Sequence, residues 1–423
     1  MSQKQPKPTL TGQRIKTRKR DEKEKYDPTG FRDAVVQGLN EAGTDLDQVS
    51  KFLDKAGSQL DYRRYSETLL DILFAGGILA PGGTVVEDAD KTKVSRSEVC
   101  VFAAEEEIES IKAYATVFTK VTRRYKYLEK KLEDEINKIL MFLKGFTPEE
   151  RNKLAMICGL FLAQSNIKAD CLKCLLSDHL VKDGIAMDFM ISLWKVWLSL
   201  KDINSVSSTL RKAQLDKRLL EFLPSTKRTE ANFEKMLDEA GLTQLVEFQR
   251  AIAHADTKKE LHTDLTDLIK EQAAIKEIEN SCKEYMKKTN LGENEVVVLV
   301  WKCLMASVEW NKKEELVADQ AINHLKTYAP LLASFTTQGK SELALLLKIQ
   351  DYCYENINFM KAFCKIVILL YKGDVLSEDV ILKWHKESHL AKGKSVFLEQ
   401  TKKFVEWLQQ AEEESESEEE GED

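Results

Sequence analysis

A chain of 423 residues with 43% hydrophobic and 31% charged side chains has enough apolar surface for two or more packed cores. Only 18 glycines and 7 prolines punctuate it, which excludes an array of short strands and turns and favours helix. The net charge of −7 is unevenly spread: residues 1–25 carry nine Lys/Arg against three Asp/Glu, a net of +6, and residues 412–423 carry nine acids and no base, a net of −9. Charged ends of opposite sign point to oppositely charged partners.

No apolar stretch follows the basic N-terminus, so no secretory leader is expected. The most apolar run, Val296 to Trp310, contains Lys302 and Glu309 and is too short to span a bilayer. The eight cysteines are scattered, and only Cys171 and Cys174 are close. Reduced thiols in a cytoplasmic protein are the expectation.

Residues 1–28 are charged, contain Pro6, Pro8 and Pro28, and offer little to bury, so they read as a disordered basic arm. Helices follow. Phe31, Val35, Val36 and Leu39 form one stripe, ended by Gly43. Val49, Phe52 and Leu53 form the next, ended by Gly57. Tyr62, Tyr65, Leu69, Leu70, Leu73 and Phe74 form a third, ended by Gly76 and Gly77. Each glycine stands where a left-handed C-cap belongs. A loop rich in Gly and Asp (81–91) precedes a long charged helix over 97–143, broken at most once. Thr147, Pro148, Glu149 and Glu150 read as a helix start. The rhythm of paired helices predicts a stack of helical hairpins, with one irregular bundle as the alternative.

The polar, breaker-containing stretch 224–230 reads as a linker between blocks at 29–223 and 231–411. In the second block Val296–Val300 is β-branched, but the apolar stretch continues without a turn, so a buried helix is expected. Ser377 is placed to N-cap a helix that carries Glu378 and Asp379 in its first turn, with Leu376 and Ile381 as a hydrophobic staple. Trp384 faces the core of that helix. A last helix carries Phe397, Phe404, Leu408 and Ala411 on one stripe, with Trp407 at its edge. The acidic segment 412–423 then reads as a disordered tail.

The stretch LYKGDVLSEDVILKWHKE, followed by FVEWLQQAEEESESEEE, resembles the two aromatic and acidic boxes of the W-two domain. That domain ends translation initiation factor five and the epsilon subunit of initiation factor two-B. The N-terminal KPTLTGQRIKTRKRDEKEKYDP and the segment LDYRRYSETLLDILFAGGILAPGG further resemble the basic leucine zipper and W-two domain proteins, the initiation-factor-five mimics. The resemblance covers essentially the whole chain. It implies an all-α fold, a HEAT-like or MIF-four-G-like hairpin stack ending in a W-two domain of HEAT type. It implies as partners the lysine-rich segments of the beta subunit of initiation factor two, and initiation factor three. Carried onto this chain, the first box matches Tyr371, Asp374, Glu378, Asp379 and Trp384, and the second Phe404, Trp407, Glu412, Glu413 and Glu414.

The residues support such a grip in their own right. Lysines meeting a run of glutamates gain long-range attraction and a fast on-rate, and aromatic rings beside the acids add cation–π contact of about 0.5–2 kcal/mol each. The plainer alternative is that Trp384 and Trp407 are core residues holding the surface that displays the acids, and that the tail only solubilises. Ser415 and Ser417 each have an acid three residues on, the spacing an acid-directed kinase reads. Phosphorylation there would add about −1.5 to −2 charge per site.

Catalytic signals are weak, and no enzyme, cofactor or metal site is expected. Factor five stimulates GTP hydrolysis through a domain with a zinc ribbon, which needs two cysteine pairs. Here Cys171 and Cys174 stand alone. His385 and His389 have zinc-ligand spacing, but Lys386 stands where a catalytic glutamate would follow. The basic stretch meets Asp27 and Pro28 with no leucine heptad behind it, so sequence-specific DNA binding by a basic zipper is not expected. Arg14, Lys16, Arg18, Lys19 and Arg20 are candidate contacts to RNA phosphates, on the small ribosomal subunit for example. The chain therefore reads as a monomeric competitor of factor five that binds factor two without promoting GTP hydrolysis and so alters start-codon stringency. The alternatives are guanine-nucleotide exchange on factor two and an RNA-binding scaffold using the basic arm.

Overall fold

The computed structural model describes residues 26–88, 94–289, 291–387 and 392–419. Arg14, Lys16, Arg18, Lys19, Arg20 and His389 lie outside them. The chain divides into two compact units, one ending at Gln249 and one beginning at Arg250.

The first unit contains α1 (Pro28–Ala42), α2 (Leu46–Ala56), α3 (Ser66–Ala75), α4 (Ile108–Arg124), α5 (Tyr127–Met141), α6 (Pro148–Ala163), α7 (Asp178–Val181), α8 (Ile185–Leu200), α9 (Ile203–Lys212) and α10 (Glu230–Glu239). α11 (Thr243–Lys270) runs past the division. The second unit continues with α12 (Ile275–Thr289), α13 (Glu293–Ala306), α14 (Glu314–Ala333), α15 (Gly339–Glu355), α16 (Phe363–Lys372), α17 (Glu378–Lys386) and α18 (Lys394–Glu419). The Leu79–Val85 pair forms an isolated antiparallel bridge.

Over α1–α6 and α8 in the first unit, and α12–α18 in the second, helices pack on the helix two along. α1, α3 and α5 form one layer of the first unit, and α2, α4, α6 and α8 the other. In the second, α12, α14, α16 and α18 form one layer, and α13, α15 and α17 the other. This is a stack of helical hairpins, and the apolar stripes are its mortar: Val35, Leu39, Leu53, Leu69 and Phe74 are all buried. The Val296–Val300 run lies in the buried helix α13, as expected.

Thr147 caps α6 in a full capping box with Glu150. The charged helix expected over 97–143 is two helices, starting only at Ile108 and breaking at Tyr125 and Lys126. Gly76 closes α3 at φ 82°, and a Cβ there would lie 2.3 Å from the Ser97 carbonyl oxygen, so only glycine fits. Gly57 ends α2 with right-handed geometry, not the expected left-handed cap. Its need for glycine is tertiary: a Cβ would lie 2.3 Å from the Tyr125 hydroxyl.

The stretch 224–230, expected as the linker, lies within the first unit. Arg228 Nη2 donates to the carbonyls of Leu223 (3.1 Å) and Glu221 (3.2 Å). Beyond it α10 buries Phe233 and Leu237, with Phe233 edge-on to Trp194 at 6.5 Å. Polar composition marks where a chain turns; it does not reveal whether the next helix stays on the same core.

Between α3 and α5 the first unit buries charge. Lys138 Nζ lies 2.7 Å from Asp71, 2.9 Å from Glu135 and 3.0 Å from Glu67, and the Asp71 and Glu135 side chains are each 3% exposed. Burial, reinforced by the Asp71 carboxylate, pushes the Glu135 carboxyl up to about 9. Burial by itself would lower the Lys138 ammonium, but Glu135 and Asp71 outweigh it and raise it. Folded Glu135 therefore keeps a proton that an unfolded glutamate releases above about 4.5. Its contribution to stability is full at low pH and is lost as pH rises towards about 9. Replacing Glu135 with Gln is expected to flatten the fall in stability between pH 6 and pH 9, measured by urea denaturation across that range. Lys138→Met leaves Asp71 buried without its cation and is expected to cost about 3–5 kcal/mol in the same assay.

Candidate functional site

The two sequence boxes fall on α16, α17 and α18. The second unit fixes these helices through one aromatic cluster. Trp384 is 3% exposed. Its indole Nε1–H donates to Gln350 Oε1 on α15 at 2.8 Å, and the same amide donates through Nε2 to the Lys392 carbonyl at 2.8 Å. The Trp384 ring packs on Phe363 of α16 (5.4 Å between centroids), and Phe363 packs on Phe397 of α18 (4.4 Å). Trp384 faces the core, as its stripe predicts, and of the two readings offered for it its burial favours the one in which the ring supports the surface.

Trp407 has the other fate. It is 53% exposed, stacked on Phe404 (6.1 Å, 15° between planes) and edge-on to Tyr371 of α16 (6.3 Å). Phe404 meets Tyr371 at 5.5 Å. Three rings from two helices thus form a half-open aromatic platform. Leu408 and Val405 are buried beside it and hold α18 to the core. The buried stripe is Phe397, Thr401, Val405 and Leu408, with Phe404 only half-buried.

The acids of the first box gather at the α16–α17 turn. Asp374 is exposed and takes φ 54°, a left-handed conformation that aspartate tolerates better than most residues. Asp379 is exposed and Glu378 half-buried in the first turn of α17. The cap expected from the Ser377 hydroxyl is absent: Glu342 of α15 reaches across and accepts from the Ser377 backbone N–H at 2.5 Å. That carboxylate, buried and 35 residues distant, satisfies the N–H of the N-cap residue itself, as the glutamate of a capping box does. The Leu376–Ile381 staple positions are both buried.

Glu412, Glu413 and Glu414 follow the platform on the same helix. The segment expected as a disordered tail is helical in its backbone through Glu419. Glutamate is a good helix former, and extending an existing helix needs no new nucleus. Glu414 comes seven residues after Trp407, about two turns along. Ser415 and Ser417 lie on this stretch of helix.

The other sequence candidates fall away from this site. Burial pushes the Cys171 thiol up, and pushes Cys174 up to about 12, so both stay protonated; Cys174 Sγ donates to the Cys171 carbonyl. All eight cysteines are free. No cluster of His, Cys, Asp and Glu among the described residues has the geometry of a metal site. No helix among them is long and apolar enough to cross a membrane.

Residues 15–259 match the family described as the 5MP1/2 HEAT domain, and residues 341–418 match the W2 family described as eIF4-gamma/eIF5/eIF2-epsilon. The chain is 60% identical to eIF5-mimic protein 1 of Danio rerio, over 98% of each chain. It is 58% identical to eIF5-mimic protein 2 of Gallus gallus over 99% of each, and 59% identical to eIF5-mimic protein 1 of Homo sapiens over 98% of this chain and 99% of that one.

The two tryptophans should separate in a stability assay. Trp384→Ala removes a buried ring and the indole N–H that Gln350 Oε1 accepts from, and is expected to cost about 3–5 kcal/mol in chemical denaturation. Trp407→Ala is expected to cost less than about 1 kcal/mol, because its ring is already half in water.

Proposed function

The chain belongs to the eIF5-mimic protein family, and on that premise we propose that it regulates translation initiation by binding initiation factor two through the lysine-rich segments of its beta subunit. It also binds initiation factor three. It competes with factor five for these partners without stimulating GTP hydrolysis, and so shifts the stringency of start-codon selection. The observation that carries this reading is the platform of Tyr371, Phe404 and Trp407 at the root of the acidic helix end.

The physics favours an extended basic segment as occupant. Lysines near the glutamates gain Coulomb attraction that is weak pair by pair, about 0–1 kcal/mol, and adds up only across a cluster. Lysine ammonium groups over the exposed Trp407 and Tyr371 rings add cation–π contact. Asp374, Glu378 and Asp379 extend the negative surface at the α16–α17 turn, while buried Trp384 keeps that turn in place. The raised thiols of Cys171 and Cys174 suit a packed core rather than the zinc ribbon of a GTPase-activating domain.

The test is a salt-titrated pull-down with the lysine-rich segment of the factor-two beta subunit. It compares the native chain with a Glu412→Lys, Glu413→Lys, Glu414→Lys variant and with Trp407→Ala. Binding at low salt that fades with salt, vanishes in the triple variant and weakens about five- to thirtyfold in Trp407→Ala is the expected result. Equal binding by all three proteins would sink the proposal.

A further inference from the structure

Two short basic and aromatic segments, far apart in sequence, meet on the first unit. One is Tyr62-Arg63-Arg64-Tyr65 and the other Arg123-Arg124-Tyr125-Lys126-Tyr127. Their rings form a continuous ladder. Tyr26 stacks on Tyr65 (5.2 Å) and Tyr65 on Phe31 (4.8 Å); Phe31 meets Tyr62 (6.1 Å), Tyr62 meets Tyr125 (5.4 Å), and Tyr125 meets Tyr127 (6.0 Å). Phe31 and Tyr62 are buried and anchor the ladder, while Tyr26 is 58% exposed and Tyr65, Tyr125 and Tyr127 are half-exposed.

Arginines sit over its rings. The Arg63 guanidinium sits 4.8 Å from the Tyr127 ring centre, and Arg64 lies 5.6 Å from Tyr26 and 5.5 Å from Tyr65. Some neighbouring cations are already engaged: Arg124 pairs with Asp54 at 2.9 Å and Lys120 with Asp47 at 3.0 Å. Arg63, Arg123 and Lys126 are exposed and have no ion-pair carboxylate among the described residues. Acids also border the ridge: Asp54 is taken up by Arg124, the Asp61 side chain accepts from the Arg64 backbone N–H, and Asp27 lies beside the Tyr65 hydroxyl.

We propose that this tyrosine–arginine ridge is a binding surface for single-stranded RNA. Exposed tyrosine rings and ring-stacked guanidinium planes offer faces on which bases can stack. The unpaired cations Arg63, Arg123 and Lys126 supply phosphate contacts between those faces. An acidic protein segment would use the charges but leave the stacking faces idle. The ridge belongs to the first unit, so the proposal stands or falls independently of the acidic helix end.

The test is fluorescence anisotropy of a labelled, unstructured 20-nucleotide RNA with the full chain, titrated at several salt concentrations. Arg63→Ala, Arg123→Ala and Lys126→Ala together are expected to weaken binding tenfold or more and to reduce the salt slope by about 2, roughly 0.7 for each phosphate contact removed. Tyr26→Ala should weaken binding about fivefold or more, and Tyr26→Phe should restore it, because a stacking contact needs the ring and not the hydroxyl. All of these positions are exposed, and unchanged helicity and melting verify folding. Arg18→Gln, Lys19→Gln, Arg20→Gln in the full chain tests the arm alone. Loss of binding in the arm variant with none in the ridge variants overturns the proposal. So does a chain that binds a polyglutamate peptide but not the RNA, which would assign the ridge to an acidic protein.

Discussion

An indole N–H inside an apolar core must find an acceptor or forfeit the hydrogen bond it made in water. Trp384 finds Gln350, and the rest of the second unit's working surface follows from that pairing. The amide that accepts from the indole on one side donates to the Lys392 carbonyl on the other, so α15, α17 and the entry to α18 are tied through one side chain. Phe363 then bridges Trp384 and Phe397, setting α16 against α18. Tyr371 lies two turns along α16 from Phe363, and Phe404 lies two turns along α18 from Phe397. The outer rings meet because the inner rings are fixed.

What the sequence revealed was local or periodic. The stripes that pack α1 to α3, the Thr147 capping box, the buried Val296–Val300 run and the acidic end were all visible because each rests on neighbours within a turn or two. What it concealed was tertiary. The stripes placed Trp384 towards the core and Trp407 at an edge, but not the Gln350 amide on α15 that holds the first or the Tyr371 ring on α16 that meets the second. The Ser377 hydroxyl makes no cap bond, and the carboxylate that does reach the start of α17 comes from Glu342 on another helix. Gly57 looked like a left-handed cap, yet it is glycine because Tyr125, 68 positions further along the sequence, occupies the space. The stretch 224–230 looked like a boundary because nothing local shows that Phe233 returns to the core holding Trp194.

The two units use aromatic residues in the same way towards opposite charge. In each, buried rings accompany half-exposed ones: Phe31 and Tyr62 within the tyrosine ladder, Phe363 and Phe397 about two turns along α16 and α18 from the platform rings. A half-exposed ring on a rigid base loses little conformational freedom when a partner arrives, so more of the contact energy survives as affinity. Around the first set the exposed charges are largely cationic, and beyond the second they are glutamates.

The helical backbone of α18 runs on through Glu419, although nothing about a glutamate run at a helix C-terminus favours it electrostatically. The last carbonyls already carry partial negative charge, and like charges three and four residues apart repel. Whatever cation settles among these acids relieves both penalties. Linkage then requires reciprocity: if cations lengthen the helix, a longer helix must hold cations more tightly, by the same free energy. Positive charge near the end of α18 and the helicity of the residues beyond Trp407 are then two sides of one free-energy coupling.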